Sequence, residues 1–253
     1  MKKLIKGLRQ FQSTYVPSHQ TLLAELAHGQ HPRVLFIACS DSRVDPALIT
    51  QADIGDLFVI RNAGNIIPPY ESTNGGEGAT IEYAVHALDI EQIIVCGHTN
   101  CGAMKGLLQL GKLEEEMPLV YNWLRHTEAT RRLVADNYGD LNKQETLEVL
   151  VAENVLTQIG NLRTYPVIHS KLHRGDLTIH AWIYNIETGG IYAYDSDNHA
   201  FVPPHSRIAP EPLEKAGKVN PPKIIPQNHL PGGNRLSREQ SERIYRGSGS
   251  MRV

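Results

Sequence analysis

Residues 34–39 read Val-Leu-Phe-Ile-Ala-Cys, and residues 92–97 read Gln-Ile-Ile-Val-Cys-Gly. Short, unbroken apolar runs of this kind mark strands buried on both faces, because a strand with one wet face would alternate. A further strand candidate, Leu57–Asn62, is apolar through Ile60. Between Asn62 and Gln92, Ile81, Ala84, Val85 and Leu88 recur at helical spacing within Gly78–Leu88. A longer helix is predicted over about Gln144–Leu162, where Leu147, Val151, Val155, Ile159 and Leu162 share a face. Leu177–Asn185 and Ile191–Asp195 then read as a fourth and a fifth strand, and Glu-Thr-Gly-Gly at 187–190 makes them an antiparallel hairpin. The expected fold class is α/β: a mixed sheet of four parallel strands plus an antiparallel edge strand, flanked by helices.

The two ends of the chain read differently. Residues 1–30 form a helical arm, with Leu4, Leu8 and Phe11 on one face, a break at Pro17, and a second short pattern at Leu22, Leu23 and Leu26. Residues 31–202 form the main domain, which holds the strands and helices read above. From 203 to 253 lies an extension that holds eight of the chain's 15 prolines and no long periodic apolar segment. Within it, 221–233 (PPKIIPQNHLPGG) is expected to be extended, and Ser237 with Gln240 forms a capping box for a short helix. The extension reads equally well as a docking segment or as a solvated linker.

A net charge of -2 gives no reason to expect a nucleic-acid or anionic-membrane partner. No apolar stretch is long enough to cross a bilayer, and the basic opening MKKLIKGLRQFQ lacks the apolar core of a secretory signal. A soluble, cytoplasmic protein is the default. Three cysteines in a chain of 253 residues do not make a disulfide framework. They are therefore core residues, ligands or nucleophiles, and position must decide which.

Cys39 ends the first strand, and the run from Gln92 leads into Gly-His-Thr-Asn-Cys-Gly-Ala, with two residues between His98 and Cys101. Ligands in open α/β sheets bind at the carboxyl ends of strands, where these two segments can converge. Two thiolates and one imidazole suit zinc, with the fourth position left open as in catalytic sites. Cys96 lies inside a strand, where a small buried hydrophobe is expected, and is assigned to the core. Asp41 stands two residues from Cys39. Its carboxylate can either fill the open position or accept a hydrogen bond from a zinc-bound hydroxide, and Arg43 can hold it in a charge-assisted pair.

CSDSRVD together with GHTNCGA resembles the two signature motifs of β-class carbonic anhydrases, and FVIRNAGN (58–65) and GATIEYAV (78–85) extend the likeness. The resemblance implies one Zn2+ per chain on Cys39, His98 and Cys101, beside a catalytic Asp41–Arg43 dyad. It implies substrate contacts from Gln30, Phe58, Tyr83 and Gly102. In the family the first three come from the neighbouring subunit, so a homodimer or a higher dimer-based oligomer, up to a hexamer, is implied. The activity implied is reversible hydration of CO2 to bicarbonate and a proton. Two departures stand out: Phe36 occupies a position that is Trp in bicarbonate-regulated members, so bicarbonate-driven closure is not expected. Ala87 occupies a suggested proton-relay position, and His86 one residue earlier is turned by ~100° on a helix. The Pro-rich extension resembles carboxysomal members, which implies location in the carboxysome, CO2 supply to Rubisco, and a scaffold partner with a γ-carbonic-anhydrase-like domain.

Rival readings are a CS2 or COS hydrolase on the same zinc scaffold and a non-catalytic zinc module. A zinc module would have no use for Asp41, Arg43 and Gln30. A cysteine phosphatase is excluded, since its phosphate cradle needs five residues between Cys and Arg, and here there are three.

Overall fold

The computed structural model describes residues 1–72 and 75–204. The extended and helical segments expected within 205–253 lie outside the described residues. Along the chain run α1 (Lys2–Gln10), α2 (Val16–Ser18), α3 (Gln20–Leu26), β1 (Val34–Cys39), α4 (Pro46–Thr50), β2 (Leu57–Asn62), α5 (Gly76–Glu82) and β3 (Gln92–His98). They are followed by α6 (Gly102–Leu108), α7 (Leu110–Glu116), α8 (Pro118–Leu124), α9 (Glu128–Asn137), α10 (Lys143–Leu162) and α11 (Pro166–Arg174). The chain then forms β4 (Thr178–Tyr184), β5 (Ile191–Asp195) and β6 (Ala200–Val202).

The strands form one sheet in the order β2-β1-β3-β4-β5-β6. β2, β1, β3 and β4 are parallel, as expected from their apolar runs, and β5 returns antiparallel to β4. The hairpin turn uses Gly189 at φ +72, a backbone region costly for other residues, while Asn185 Oδ1 accepts from the Glu187 and Thr188 N–H groups. One strand was not foreseen: β6 pairs antiparallel to β5 and takes the edge position expected for β5. Three residues are too few to show a period.

Strand alternation divides the core. Leu35, Ile37 and Cys39 of β1 and Ile93 and Val95 of β3 join the main cluster with α10, whereas Phe36, Ala38, Ile94 and Cys96 pack on the thinner side with Val44. Cys96 is fully buried there, and burial pushes its thiol up to about 12, so it behaves as the small hydrophobe expected. α10 starts at an Asn142 cap whose side chain accepts from the Gln144 and Glu145 N–H groups, and Glu145 bonds back to the Asn142 N–H. Its burial extends around most of the helix, so polar Asn154 and Gln158 are buried along with Val151 and Val155.

The arm departs from expectation at Pro17. Helical structure runs through that proline and is interrupted at His19, where φ is -120 and ψ is 22. A π-helical turn over Phe11–Tyr15 precedes it, and the Val16 N–H donates to the Phe11 carbonyl. That wider turn accommodates a residue that cannot donate to the carbonyl four positions back. Leu4, Leu8 and Phe11 remain exposed, as an arm rather than core.

Candidate metal centre

Because β1 and β3 are parallel neighbours, their carboxyl ends deliver Cys39 and His98 to the same edge of the sheet. The turn after β3, with Asn100 at φ +58, brings Cys101 back as the N-cap of α6. The ligand atoms of Cys39, His98 and Cys101 lie within 4.8 Å of one another, and the two sulfurs are 4.0 Å apart. All three residues are buried.

The electrostatics favour a cation. The Cys39 thiol is lowered, chiefly because the Cys101 thiol donates to it; burial opposes this, and the Gly64 N–H assists. Cys101 is pushed up correspondingly, since it keeps the proton it donates and is itself buried. His98 Nδ1 lies 2.9 Å from the Thr99 carbonyl, which can only accept, so Nδ1 carries the proton and Nε2 offers a lone pair. Nε2 is buried with no hydrogen-bond partner, although burying an unmatched polar atom costs about 1–3 kcal/mol. An electron-pair acceptor between the imidazole and the sulfurs would satisfy it. This donor set fits zinc.

Asp41 is placed beside that set. Its Oδ2 lies 3.9 Å from His98 Nε2. Arg43 holds both carboxylate oxygens, Nε to Oδ1 at 2.9 Å and Nη2 to Oδ2 at 2.7 Å, while the Arg43 N–H adds a third bond to Oδ1 at 3.0 Å. The Arg43 guanidinium keeps the carboxyl well below the usual carboxylate range. Asp41 therefore stays charged and aimed.

Sequence reasoning did not assign a role to Arg61. Its guanidinium donates to the Cys39 and Asp41 carbonyls at 3.1 and 2.8 Å, so one side chain ties the end of β1 to the loop carrying the carboxylate. The signal was present only as a member of the 58–65 motif; a bond spanning 20 residues leaves no local pattern.

The substrate residues implied by the resemblance separate into two groups. Gly102 follows Cys101 at the start of α6, and a Cβ there would meet nothing within 4 Å, so the space beside the centre is open. Phe58 and Tyr83 are paired with each other, their ring centroids 6.1 Å apart. Phe58, however, pairs with Leu35 near the start of β1, whereas Asn62 pairs with Cys39. Four residues of strand, roughly 13 Å, thus separate Phe58 from the sheet edge that carries the cysteines. Gln30 is exposed ahead of β1, also at the amino end. One chain does not bring these residues to its own cluster.

A nucleophilic cysteine would not need a second buried thiol at 4.0 Å, so fold and donor set define a metal-dependent enzyme built on a mostly parallel sheet. Residues 34–191 match the carbonic anhydrase family. A carbonic anhydrase of Synechocystis sp. is 58% identical, with 98% of this chain and 100% of that protein covered. One from Pseudomonas aeruginosa is 44% identical, covering 80% of this chain and 91% of that protein. The solved β-carbonic anhydrase CcaA is 66% identical with a TM-score of 0.80, covering 81% of this chain and 99% of that structure. The chain belongs to the carbonic anhydrase family, in its β class: it is a zinc-dependent lyase that hydrates CO2.

Proposed function

We propose that Cys39, His98 and Cys101 hold one zinc ion per chain, that Asp41 and Arg43 are the catalytic dyad, and that Gln30, Phe58, Tyr83 and Gly102 contact the substrate. The observation that carries this is the orphaned His98 Nε2, which faces two sulfurs and has the Arg43-held carboxylate 3.9 Å away. Bound there, zinc would supply a Lewis acid that lowers the pKa of a coordinated water from ~15.7 to ~7. Asp41, ionised and without a proton of its own, can only accept; it takes the hydrogen bond of the attacking water and turns the reactive lone pair toward CO2. Arg43 keeps Asp41 from swinging onto the metal. Phe58 and Tyr83 offer CO2 an apolar wall, the Gln30 amide donates to the forming bicarbonate, and the released proton leaves to buffer.

Since Gln30 and Phe58 sit at the opposite end of the sheet from the ligands, a complete cleft requires a second copy of the chain. We read the protein as a dimer or a larger dimer-based assembly, up to a hexamer. The exposed Leu4, Leu8 and Phe11 face of the arm agrees with this. Residues 1–30, 31–202 and 203–253 are read as arm, catalytic domain and extension. The extension is the segment that directs the enzyme to the carboxysome, docks on a scaffold protein with a γ-carbonic-anhydrase-like domain, and so supplies CO2 to Rubisco. In support, similarity to the Synechocystis enzyme spans 98% of the chain, whereas similarity to the Pseudomonas enzyme spans 80%.

Stopped-flow CO2 hydration with zinc analysis tests the site: one zinc per chain and rapid hydration are expected, and hydration without zinc would overturn the assignment. For the extension, a chain ending at Pro204 is expected to keep zinc and hydration while losing capture by the scaffold domain. Undiminished capture would refute the docking role.

A further inference from the structure

The peptide group joining Ala63 to Gly64 is held at both of its polar atoms. Its N–H donates to Cys39 Sγ at 3.4 Å, and its carbonyl, on Ala63, accepts from Trp123 Nε1 of α8 at 2.8 Å. The next carbonyl, on Gly64, accepts from Asn154 Nδ2 of α10 at 3.0 Å. Asn154 is 1% exposed, and its Oδ1 accepts from Gln158 Nε2 at 2.8 Å and Thr127 Oγ1 at 2.9 Å, which fixes the amide with its N–H toward Gly64. Gly64 itself has φ +86, and a Cβ there would sit 3.0 Å from both Ala103 Cβ and Met104 Cε of α6. Two side chains remote in sequence thus orient a backbone donor that reaches the Cys39 sulfur.

We propose that Trp123 and Asn154 are positioning residues of the metal centre: both aim the Gly64 N–H at Cys39 and Trp123 also polarises it, and so they set how much charge that sulfur gives to a bound metal. A hydrogen bond to a peptide carbonyl makes the N–H of the same peptide a stronger donor, a cooperative effect on the order of 10–30% per bond. A stronger donor draws electron density from the thiolate. A metal on that thiolate is then left more electron-poor, the direction that favours ionisation of a coordinated water. The Ala63–Gly64 peptide relays the influence of α8 to Cys39, and the Gly64 carbonyl is where α10 holds that peptide in place. This inference rests on Cys39 being a zinc ligand.

The test uses full-length protein loaded with Co2+, whose thiolate-to-cobalt charge-transfer band reports sulfur donor strength directly. Trp123→Phe keeps an aromatic ring against His126, now 5.7 Å away edge-on, but removes the N–H. The band is expected to move to longer wavelength in Trp123→Phe and in Asn154→Ala, because the sulfur then gives more charge to the metal. Thr130→Val is the control: Thr130 Oγ1 bonds Thr127 and Thr157 in the same buried network but nothing in 63–65. It should lower thermal stability and leave the band in place. An unmoved band in Trp123→Phe, or an equal shift in Trp123→Phe and Thr130→Val, would overturn the proposal while leaving the zinc assignment intact. If the parent protein gave no thiolate-to-cobalt band, the ligand assignment would fail and the proposal with it.

Discussion

Gly97 precedes the ligand His98 in β3 and faces α10, and the close approach there gives a prediction with a size. A Cβ on Gly97 would lie 2.7 Å from Val155 Cγ2 and 3.2 Å from Val151 Cγ1. Carbon atoms pack best at about 3.5–4.0 Å, so the first contact is short by nearly 1 Å. Val155 is fully buried, and a β-branched side chain in a helix has one favoured rotamer, so it cannot turn away. Gly97→Ala must therefore push β3 from α10, at a cost of about 1–3 kcal/mol. Val155→Ala alone removes two methyl groups, each worth about 0.8 kcal/mol, and leaves a small cavity, for roughly 2 kcal/mol together. In the double variant the methyl added at position 97 occupies the space that Val155 gave up. The double loss is expected to fall short of the summed single losses by about 1 kcal/mol or more. Urea unfolding of metal-stripped protein measures this without linkage to zinc. Zinc affinity should follow the same order, weakened in Gly97→Ala and regained in the double variant, because the displaced residue adjoins His98. Losses that add to within about 0.5 kcal/mol would refute the steric reasoning.

Cys101→Ser is expected to lose most zinc and activity, since a hydroxyl replaces a thiolate poorly, while Cys96→Ala keeps its zinc and costs on the order of 1 kcal/mol in unfolding; metal analysis showing full occupancy in Cys101→Ser would remove it from the ligand set. Asp41→Asn and Arg43→Ala should each retain zinc but hydrate CO2 slower by on the order of 10²-fold, and parental stopped-flow rates in both would make the dyad structural only. Glu153, 8% exposed, has its carboxyl raised above the ordinary 4.5 by burial, so the native chain holds that proton more tightly than the unfolded chain. Its contribution is complete below the unfolded value and is lost as pH rises through the folded one, so Glu153→Gln should flatten the fall of urea midpoint on going from acid to neutral pH; identical slopes in the two proteins would discount Glu153.

Features written in consecutive residues were legible from sequence. The bounds of β1 follow from an unbroken apolar run, the start of β2 from the apolar stretch 57–60, and Cys39, His98 and Cys101 from a motif placed at strand ends. Features made by chain return were not. Trp123 bonds across 60 residues and Asn154 across 90, and neither residue type differs locally from an ordinary helix residue. Pro17 misled for a different reason: the rule that proline ends a helix assumes an α turn before it, and the chain forms a π turn instead. Resemblance named Phe58, and the strand register then placed it opposite Leu35, four residues of strand away from the end that carries Cys39.

That register changes what counts as a defective copy of the protein. Under the shared-cleft arrangement, each chain lends its metal ligands to one cleft and its apolar wall to another. A chain without Cys101 and a chain without Phe58 would each be inactive when paired with itself. Paired with each other, they place both faults in the same cleft and leave its twin whole. Two null alleles in one cell would then complement, and on that arrangement the heritable unit of activity would be the pair of chains rather than the single polypeptide.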